Sequence, residues 1–370
     1  MSLLVALGLL MLSSILHNLD MSSVNETTLY IDVADMRSLV TKVGLKAIIR
    51  ETVEELRANY SRWNDFEKSP RTANHSEVGV IELMPVSDDA RFGFKYVNGH
   101  PKNPLQGLST VMAFGALSVV ETGFPILISE MTILTAIRTA ATSVLAAQVM
   151  ARKDSKSMAM IGNGAQSEFQ ILAFNDLLGI ETFKIYDVDP KATEKLMRNL
   201  AGVPGITLIP CASTPEACEG VDIITTCTAD KTNATIVTIN EVKPGMHVNG
   251  IGGDCPGKTE VGASVLERAR VVVEYAPQSR IEGDIQQMPA DFPVTELFEV
   301  LTGKATGRAS DEEITVFDSV GFALEDFSSL CVVHKLAMEH GIGTTLNLIP
   351  EMADVKDLFS QVSVSGAVSR

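Results

Sequence analysis

In the stretch "MAMIGNGAQSEFQILAF", residues 158–174, an apolar strand-like run leads through a glycine turn into helical spacing. In such a unit the first glycine, here Gly162, allows the tight turn, and the second, Gly164, lets a pyrophosphate approach the backbone. The third position must be small so that the helix packs on the strand, and here it is Ser167. Unpaired N–H groups at the helix N-terminus favour bound phosphate. The context therefore predicts a dinucleotide site.

The acid that ends the next strand indicates which dinucleotide is bound. Asp187 closes "FKIYD", 25 positions after Gly162. A carboxylate at this place bonds the adenosine ribose hydroxyls and repels a 2′-phosphate, which favours NAD over NADP. The alternative is a glycine turn that serves only packing. The strand, turn and acid together favour NAD.

Short, nearly continuous apolar runs follow this unit and are separated by segments of helix length. They are "TFKIYDVD", "ITLIP", "VDIITTCT", "ARVVVEY" and "EITVFDSVG". Strands that are covered on both faces show this nearly continuous apolar pattern, so we predict a doubly wound parallel sheet of the Rossmann type. Upstream, β-branched and aromatic residues predict strands at 77–86, 91–99 and 124–130, with helices from about Met36 to Trp63 and over 131–151.

A chain of 370 residues exceeds what one core usually supports. We expect an α/β protein with an α+β domain, built from 21–145 and a helical return over 321–370, around a dinucleotide domain at 146–320. Residues 1–20 are expected to lie outside the fold, as a leader from start-site choice or as an export signal. The apolar run Leu3 to Leu16 is too short for a membrane span, which needs about 20 residues.

Composition excludes several partners. A net charge of −16 without any basic run argues against nucleic acid, which binds clustered Lys and Arg. Five cysteines without CxxC spacing indicate reduced thiols in a cytoplasmic protein. The His, Cys, Asp and Glu spacings predict no metal site. We expect a soluble protein without nucleic-acid or membrane partners.

Three cations in an acidic protein predict an anion site. Arg71 lies in "SPRTANHSE", Lys95 in the strand "FGFKYVNG", and Arg138 inside the alanine-rich helix. A cation among apolar residues needs a partner or a water-filled cleft. Arg138 alone could also be a surface residue whose stem lies on the core. If the three side chains converge, they form a site for a carboxylate, which planar arginine grips with two hydrogen bonds.

A glycine-rich stretch holds the candidate acid. "HVNGIGGDCPGKTE", residues 247–260, surrounds Asp254 with four glycines. Glycine contributes little apolar surface and is useful where backbone approaches a ligand closely. We therefore expect this stretch to be a loop that presents Asp254 to a bound molecule. No neighbouring histidine supplies a base to Cys255, so a nucleophilic thiol is disfavoured.

Seven segments together resemble a known family. They are "SEVGVIELMP", "FKYVNGHP", "IGNGAQSEFQ", "DIITT", "GGDCPGKTE", "RIEG" and "VFDSVGFALED". They closely resemble the ornithine cyclodeaminase and mu-crystallin family, and within it the bacterial cyclodeaminases. The likeness runs from about Leu29 to the last residues and leaves the first twenty outside.

The resemblance implies conversion of L-ornithine to L-proline and ammonia, with tightly bound NAD that is reduced and reoxidised in each turnover. It also implies a homodimer formed by the substrate domain. Arg71, Lys95 and Arg138 would bind the α-carboxylate, Asp254 would be the acid–base residue, Glu82 would assist at the amino groups, and Val320 would touch the substrate. Besides the glycines of the turn, the implied cofactor contacts are Thr110, Ala165, Gln166, Asp187, Thr228, Val248, Asn249, Gly250, Ile251, Lys258 and Ser319. Gly250 and Ile251 depart from the Ala and Val of the family.

Other activities remain open at this stage. Lysine cyclodeaminase acts on a substrate longer by one methylene, which a hydrophobic pocket discriminates by only about 1–3 kcal/mol. An NAD(P)H-dependent ketimine reductase or amino-acid dehydrogenase would keep the fold and change the reaction. A crystallin-like binding protein without catalysis is disfavoured, because mere storage of a ligand does not require Asp254.

Overall fold

Two β-sheets organise the computed structural model, which describes residues 27–229 and 235–363. The chain from Leu29 to Thr344 forms one compact unit that holds both sheets. The later residues belong to a second unit. They complete the short strand β16 (Thr344–Leu346) and include a 3-10 helix at Leu358–Gln361. Asp357 caps this 3-10 helix by accepting a hydrogen bond from Ser360 N at 3.1 Å. The expected leader, residues 1–20, lies outside the described residues.

The first sheet is mixed. Its strands are β1 (Thr28–Ile31), β2 (Glu67–Lys68), β3 (Thr72–Ser76), β4 (Gly79–Ser87), β5 (Arg91–Gly99), β6 (Val111–Val119) and β7 (Pro125–Glu130). They lie in the order β1-β7-β6-β5-β4-β2, and β3 also pairs with β4. β1 runs parallel to β7, whereas the other pairs are antiparallel. Side chains therefore alternate between an inner and an outer face along each strand.

The second sheet is parallel throughout. Its strands are β8 (Ser157–Ile161), β9 (Thr182–Tyr186), β10 (Thr207–Pro210), β11 (Ile223–Thr226), β12 (His247–Gly250), β13 (Ala269–Val273), β14 (Thr295–Glu296) and β15 (Ile314–Asp318). The order is β10-β9-β8-β11-β12-β15-β13-β14. Its first five strands follow the 3-2-1-4-5 order of a dinucleotide-binding sheet.

The helices connect and cover the two sheets. They are α1 (Val33–Val43), α2 (Leu45–Ser61), α3 (Thr132–Met150), α4 (Ser167–Leu178), α5 (Pro190–Asn199), α6 (Thr214–Cys218), α7 (Ala263–Leu266), α8 (Ala276–Glu282), α9 (Leu297–Leu301) and α10 (Ala323–His340). Short 3-10 helices lie at Trp63–Asp65, Asn103–Gln106 and Asp284–Gln287. α10 packs on β5 and β6 and against α2.

Alternate residues of the parallel strands face different cores, which confirms the predicted doubly wound α/β fold. In β8, Met158 and Met160 join the core that contains α2 and α3, whereas Ala159 and Ile161 join the core that contains α6 and α7. A parallel sheet with both faces covered carries apolar residues on both sides of each strand. The domain boundaries given above stay predictions.

α3 lies between the sheets. It contacts β6 of the mixed sheet and both β12 and β15 of the parallel sheet. The helix is long and apolar enough to cross a membrane, but 83% of its apolar window is buried inside the protein, as expected of a core helix. This position brings Arg138, in the second turn of α3, to a place between the two sheets.

The predicted helix from Met36 to Trp63 is wrong in one respect. The chain forms two helices there, because Gly44 adopts φ 93° and interrupts the helical backbone. This left-handed region favours glycine, which has no Cβ to clash. The apolar spacing continues on both sides of the break, so the sequence pattern concealed it.

Two strands rich in small residues were missing from the sequence prediction. One is β6, where a Cβ on Gly115 would lie 2.7 Å from the carbonyl oxygen of Phe94. The other is β12, which forms the first four residues of the stretch expected to be a loop and lies fully buried inside the parallel sheet. Glycine is depleted in strands, so strand propensity gives little signal for either segment.

Trp63 joins the mixed-sheet region to the parallel-sheet region through stacked rings. Its ring lies 5.6 Å from Tyr60 at 7° and 5.1 Å from Phe298 of α9 at 8°. Phe322, just before α10, lies at 5.6 Å in a tilted arrangement. Such pairs contribute about 0.5–1.5 kcal/mol each beyond their buried area. Trp63 is thus expected to hold three helices together.

Trp63→Ala should lower the free energy of unfolding by about 3–5 kcal/mol, because it leaves a cavity and removes these ring contacts. Urea denaturation followed by far-UV circular dichroism measures the change. Met338→Ala, on an exposed turn of α10, is the control and should stay within about 0.5 kcal/mol of the unchanged protein. An equal effect of the two substitutions would contradict the proposed role of Trp63.

Candidate active site

The carboxyl ends of four neighbouring parallel strands form one edge of the sheet. Gly162, Cys227, Ile251 and Ser319 directly follow β8, β11, β12 and β15. Backbone hydrogen bonds continue the ladder past the strand ends, for example from Cys227 N to the oxygen of Ile161 at 2.9 Å. The strand order reverses between β8 and β11, and ligands of open α/β sheets bind in the crevice at such a point.

The glycine turn after β8 has the geometry that the sequence predicts. Gly162 adopts φ 93°, and a Cβ there would lie 2.7 Å from the carbonyl oxygen of Cys227. A Cβ on Gly164 would meet nothing within 4 Å, so the backbone is open to an approaching ligand. Ser167 is fully buried, and its hydroxyl donates to the oxygen of Gly164 at 2.9 Å. The small third residue therefore packs as expected.

The polar atoms around the turn fit a dinucleotide. Asp187 accepts a hydrogen bond from Asn163 N at 2.6 Å, so the predicted ribose acid also fixes the turn. Within the described ranges, the buried atoms Asn163 Oδ1 and Gln166 Oε1 have no hydrogen-bond partner. Buried polar atoms are almost always bonded in native proteins. Two such atoms beside the open turn, with Ala165 exposed between them, indicate a ligand site.

The glycines near Asp254 pack on buried acids, a constraint that the sequence did not indicate. A Cβ on Gly252 would overlap the carboxylate of Glu260. A Cβ on Gly250 or on Gly253 would lie 3.0 Å from an oxygen of Asp284. Both acids are at most 1% exposed. The small residues are therefore required by the protein interior.

These two acids hold the backbone around the strand ends. Glu260 accepts hydrogen bonds from Gly252 N at 3.0 Å and from Thr228 N at 2.7 Å. Asp284 accepts from Glu260 N at 2.6 Å and from Val261 N at 3.1 Å. Burial raises the pKa of both carboxyl groups. Glu260 thus links the segments after β11 and β12, which carry the predicted residues Thr228 and Ile251.

Asp254 lies at the solvent-facing side of this loop, because 51% of its side chain is exposed. Its carboxylate is 3.4 Å from Nζ of Lys258, which is buried and donates to the oxygen of Thr228 at 2.8 Å. Burial raises the pKa of Glu282 to about 7; Arg71 opposes this shift, and the charges of Glu82 and Asp254 add to it. Asp254 is therefore a partly solvated acid beside the buried cluster.

Arg71 is enclosed by acceptors. Its Nη1 lies 3.0 Å from Glu82, and its Nη2 donates to the carbonyl oxygens of Val320 at 2.7 Å and Gly321 at 2.6 Å. Its Nε is 3.1 Å from Oε2 of Glu282. Only 6% of the side chain is exposed. Burial opposes the charge, but Glu82 and Glu282 raise the pKa of Arg71, so it stays charged.

Lys95 and Arg138 converge on one carboxylate oxygen. Nζ of Lys95 lies 2.8 Å and Nε of Arg138 lies 3.0 Å from Oδ1 of Asp326. Glu325 pairs with the other face of the guanidinium, 2.8 Å from Nη1 of Arg138. Burial, followed by the charge of Arg138, lowers the pKa of Lys95 to about 8. The structure therefore brings the predicted cations together, and each already faces an acid.

Glu274 positions the segment that follows β15. It accepts a hydrogen bond from the hydroxyl of Ser319 at 2.5 Å and from Val320 N at 3.2 Å. The same segment offers its carbonyl oxygens to Arg71. The predicted cofactor residue Ser319 and the predicted substrate residue Val320 thus lie between the parallel strand ends and the cation cluster.

Four buried acids of this region were missing from the sequence prediction. They are Glu274, Glu282, Glu325 and Asp326. "RIEG" and "FALED" contain three of them, and both segments supported the resemblance without a role for their acids. Acids in the first turn of a helix usually interact with its dipole, so Glu325 and Asp326 looked ordinary. Among the described residues, no group of His, Cys, Asp and Glu is arranged to hold a metal ion.

Three predicted cofactor residues do not present their side chains at the ends of the parallel strands. Val248 is fully buried and packs in the core on the α6 and α7 face of the sheet, so its side chain cannot line the crevice. Thr110 precedes β6 in the mixed sheet, where its carbonyl oxygen accepts from His100 N at 2.9 Å. Asn249 is buried within β12, and only the following residues reach the strand end.

Known proteins share this fold and sequence along most of the chain. The family model described as the ornithine cyclodeaminase/mu-crystallin family matches residues 33–341. Ornithine cyclodeaminase of Agrobacterium tumefaciens (strain Ach5) is 54% identical over 333 residues, which cover 90% of this chain and 93% of that protein.

Solved structures agree with this match. A lysine cyclodeaminase, studied for recognition of L-lysine, L-ornithine and L-2,4-diamino butyric acid, superposes with a TM-score of 0.84 at 28% identity, covering 90% of this chain and 99% of that one. An archaeal alanine dehydrogenase dimer with bound NAD gives a TM-score of 0.79 at 32% identity, covering 87% and 99%. With its glycine turn, its cation cluster and these similarities, the chain belongs to the ornithine cyclodeaminase/mu-crystallin family.

Proposed function

We propose that the protein is an ornithine cyclodeaminase, which converts L-ornithine to L-proline and ammonia with bound NAD. Family membership and the high identity to an ornithine cyclodeaminase support the reaction class. The observation that carries the substrate assignment is the number of acceptor groups in the buried cluster. Its carboxyl groups, on Glu82, Glu282, Glu325 and Asp326, outnumber its cations, which are Arg71, Lys95 and Arg138.

The buried atoms of the cluster that lack a hydrogen-bond partner also match a diamino acid as the ligand. Glu82 Oε1, Glu282 Oε2 and Asp326 Oδ2 are buried acceptors without a hydrogen-bond partner in the described part of the chain. Arg71 Nε is a buried donor that also lacks a partner with hydrogen-bond geometry in the described residues. An α,δ-diamino acid brings one carboxylate and two ammonium groups at neutral pH. Its surplus of donors therefore complements the surplus of acceptors.

In this proposal the cations hold the α-carboxylate. Lys95 supplies a buried ammonium group. Arg138 supplies a planar guanidinium group, whose Nη2 donates no hydrogen bond to Glu325 or Asp326. Arg71 is held by the carbonyl oxygens of Val320 and Gly321. These contacts orient the substrate Cα toward the ends of the parallel strands.

The turn after β8 is proposed to bind the pyrophosphate of NAD, and Asp187 the ribose hydroxyls. When bound, NAD supplies a hydride acceptor and later in the same turnover a hydride donor, so the reaction involves no net oxidation. Lys258 and Ser319, at the ends of this crevice, are proposed to line the part of it that holds the nicotinamide ring. NAD is favoured over NADP, because Asp187 would repel a 2′-phosphate.

Asp254 is proposed to be the acid–base residue. An amine with a pKa near 10.4 is almost fully protonated at pH 7, and freeing it costs about 4–5 kcal/mol. A carboxylate lowers this cost by accepting the proton as the amine attacks. The half-exposed position of Asp254 allows it to exchange that proton with water. Holding both amines in one site makes ring closure intramolecular.

A homodimer is proposed through the outer face of the mixed sheet. Large apolar side chains are exposed there on neighbouring strands, and they are Ile81, Leu83, Phe92, Met112 and Phe114. Contiguous exposed apolar patches on a folded protein usually mark an interface. A second copy of this chain is the favoured partner, since the similar archaeal protein is a dimer. The reduced thiols and acidic surface favour a cytoplasmic location.

An amino-acid dehydrogenase is the competing reaction, because one similar protein is an alanine dehydrogenase. A monoamino acid would leave the surplus carboxylates of the cluster without a cation. L-Lysine keeps the second amine and differs by one methylene, so it is expected to be a poorer substrate of the same site.

Purified protein with L-ornithine and catalytic NAD should form proline and ammonia in equal amounts, without accumulation of NADH. Asp254→Asn should bind NAD unchanged but lower kcat by about 10²- to 10⁴-fold, because a general base is lost. Coupled ammonia detection and proline quantification measure both. Net NADH formation by the unchanged protein would reject the cyclodeaminase assignment, and normal turnover by the variant would reject the role of Asp254.

Phe114→Lys should convert the dimer to a monomer, because it places a charge in the middle of the apolar sheet face. Light scattering after size-exclusion chromatography gives the mass of each species. Val188→Lys changes an apolar side chain that is 87% exposed on the loop after β9 and should leave the dimer intact. A dimer that persists in the Phe114 variant would exclude this face as the interface.

A further inference from the structure

Asn163, which lies between the two glycines of the turn after β8, carries a fully buried amide. Its Nδ2 donates a hydrogen bond to Oγ1 of Thr193 on α5 at 2.8 Å, and within the described residues its Oδ1 has no hydrogen-bond partner. Burying a polar side chain costs free energy unless it is hydrogen-bonded. The contact with Thr193 is therefore the interaction that can explain why this place holds an amide.

The backbone of Asn163 holds the acid that follows β9. Its N–H donates to Oδ2 of Asp187 at 2.6 Å, and Asp189 N donates to Oδ1 of the same carboxylate at 2.8 Å. Backbone groups thus orient both oxygens of Asp187, one from the turn and one from the residue before α5. Each carboxylate oxygen can accept a further hydrogen bond, so the acid stays available to a ligand.

Helix α5 closes a ring of contacts around the turn. Asp189 caps the helix by accepting a hydrogen bond from Lys191 N at 3.0 Å. About one helical turn further along, Thr193 accepts the hydrogen bond from the amide of Asn163. The glycine turn, Asp187 and the beginning of α5 therefore form one hydrogen-bonded unit, which fixes the distance between the turn and the acid.

A second contact from α5 reaches the next residue of the turn. Nζ of Lys195 donates to the carbonyl oxygen of Gly164 at 2.8 Å and pairs with Glu168 of α4. The side chain of Lys195 is 29% exposed, whereas Asn163 is fully buried. A hydrogen bond inside a protein is electrostatically stronger than one in contact with water. The amide of Asn163 is thus expected to hold the turn more firmly than Lys195 does.

We propose that Asn163 is a positioning residue for the cofactor, because its amide, held by Thr193, keeps the glycine turn at the distance from Asp187 that NAD requires. The inference rests on the proposed function, in which the turn binds the pyrophosphate of NAD and Asp187 binds the adenosine ribose. Both groups belong to one molecule, so a turn that shifts relative to Asp187 cannot bind both well. Asn163 acts through the turn and does not have to touch the cofactor.

The expected consequence is specific for ligands that span both places. NAD uses the turn and Asp187 together, whereas adenosine has the ribose but no pyrophosphate. Loss of the contact between Asn163 and Thr193 should therefore weaken the binding of NAD and leave that of adenosine as it is. General damage to the domain would weaken both ligands.

The test titrates the full-length protein, freed of bound nucleotide, with NADH and follows the NADH fluorescence; adenosine is measured by displacement of NADH. Thr193→Val removes the acceptor hydroxyl and should raise the Kd of NADH by about tenfold, as expected for a buried amide that loses its partner. The Kd of adenosine should stay unchanged. Thr193→Ser keeps the hydroxyl and should restore NADH binding. Thr207→Val alters an exposed threonine of the same sheet and should change neither Kd.

Asn163→Ala tests the same contact from the other side. It should raise the Kd of NADH to a similar extent, and combining it with Thr193→Val should weaken binding no further, because both changes remove one interaction. If Asn163→Ala does not fold, the Thr193 variants decide the question. Unchanged NADH binding by Thr193→Val, or equal weakening of NADH and adenosine, overturns the assignment.

A variant of the acid separates this inference from the proposed function. Asp187→Ala should weaken the binding of both NADH and adenosine, because both ligands carry the ribose. If Asp187→Ala weakens neither, the proposed placement of NAD is rejected. If it weakens both while Thr193→Val binds NADH like the unchanged protein, only the role of Asn163 is rejected.

Discussion

The buried guanidinium of Arg71 is the interaction on which the site depends. It connects Glu82 of the mixed sheet, Glu282 at the end of α8 and the carbonyl oxygens that follow β15. Removing one partner of a buried ion pair costs several kcal/mol, since an uncompensated charge stays behind. The arrangement therefore persists only while sheet, helix and strand end keep their relative positions. The alignment of the two sheets and the proposed substrate site therefore depend on the same contacts.

Acids in this protein have two distinct uses. Glu260, Asp284, Asp318 and Glu274 accept backbone N–H groups and hold the loops at the strand ends. The other group, around Arg71, Lys95 and Arg138, retains unpartnered oxygens that suit a cationic ligand.

Sequence patterns predicted the parallel sheet and its glycine turn because strand, turn and helix lie close together along the chain. The cations Arg71, Lys95 and Arg138 were detectable, since charges in apolar segments need a partner. Their partners were not, because Glu325 and Asp326 resemble ordinary acids of a first helical turn, and only tertiary contacts bring them to Arg138 and Lys95. Strand β12 was missed for a related reason. Its glycine is required by Asp284, 34 positions away from Gly250 along the chain, and no local pattern records that contact.

The most direct test of the account follows the hydrogen on the substrate Cα. The enzyme is incubated with L-ornithine deuterated at Cα and catalytic NAD, and the proline is analysed by mass spectrometry and NMR. A site that holds the diamino acid in one orientation throughout the turnover should return the deuterium to Cα of proline, with ammonia released and NADH remaining at the catalytic level. Deuterium that accumulates in NADH, with proline lacking the label, would contradict the account.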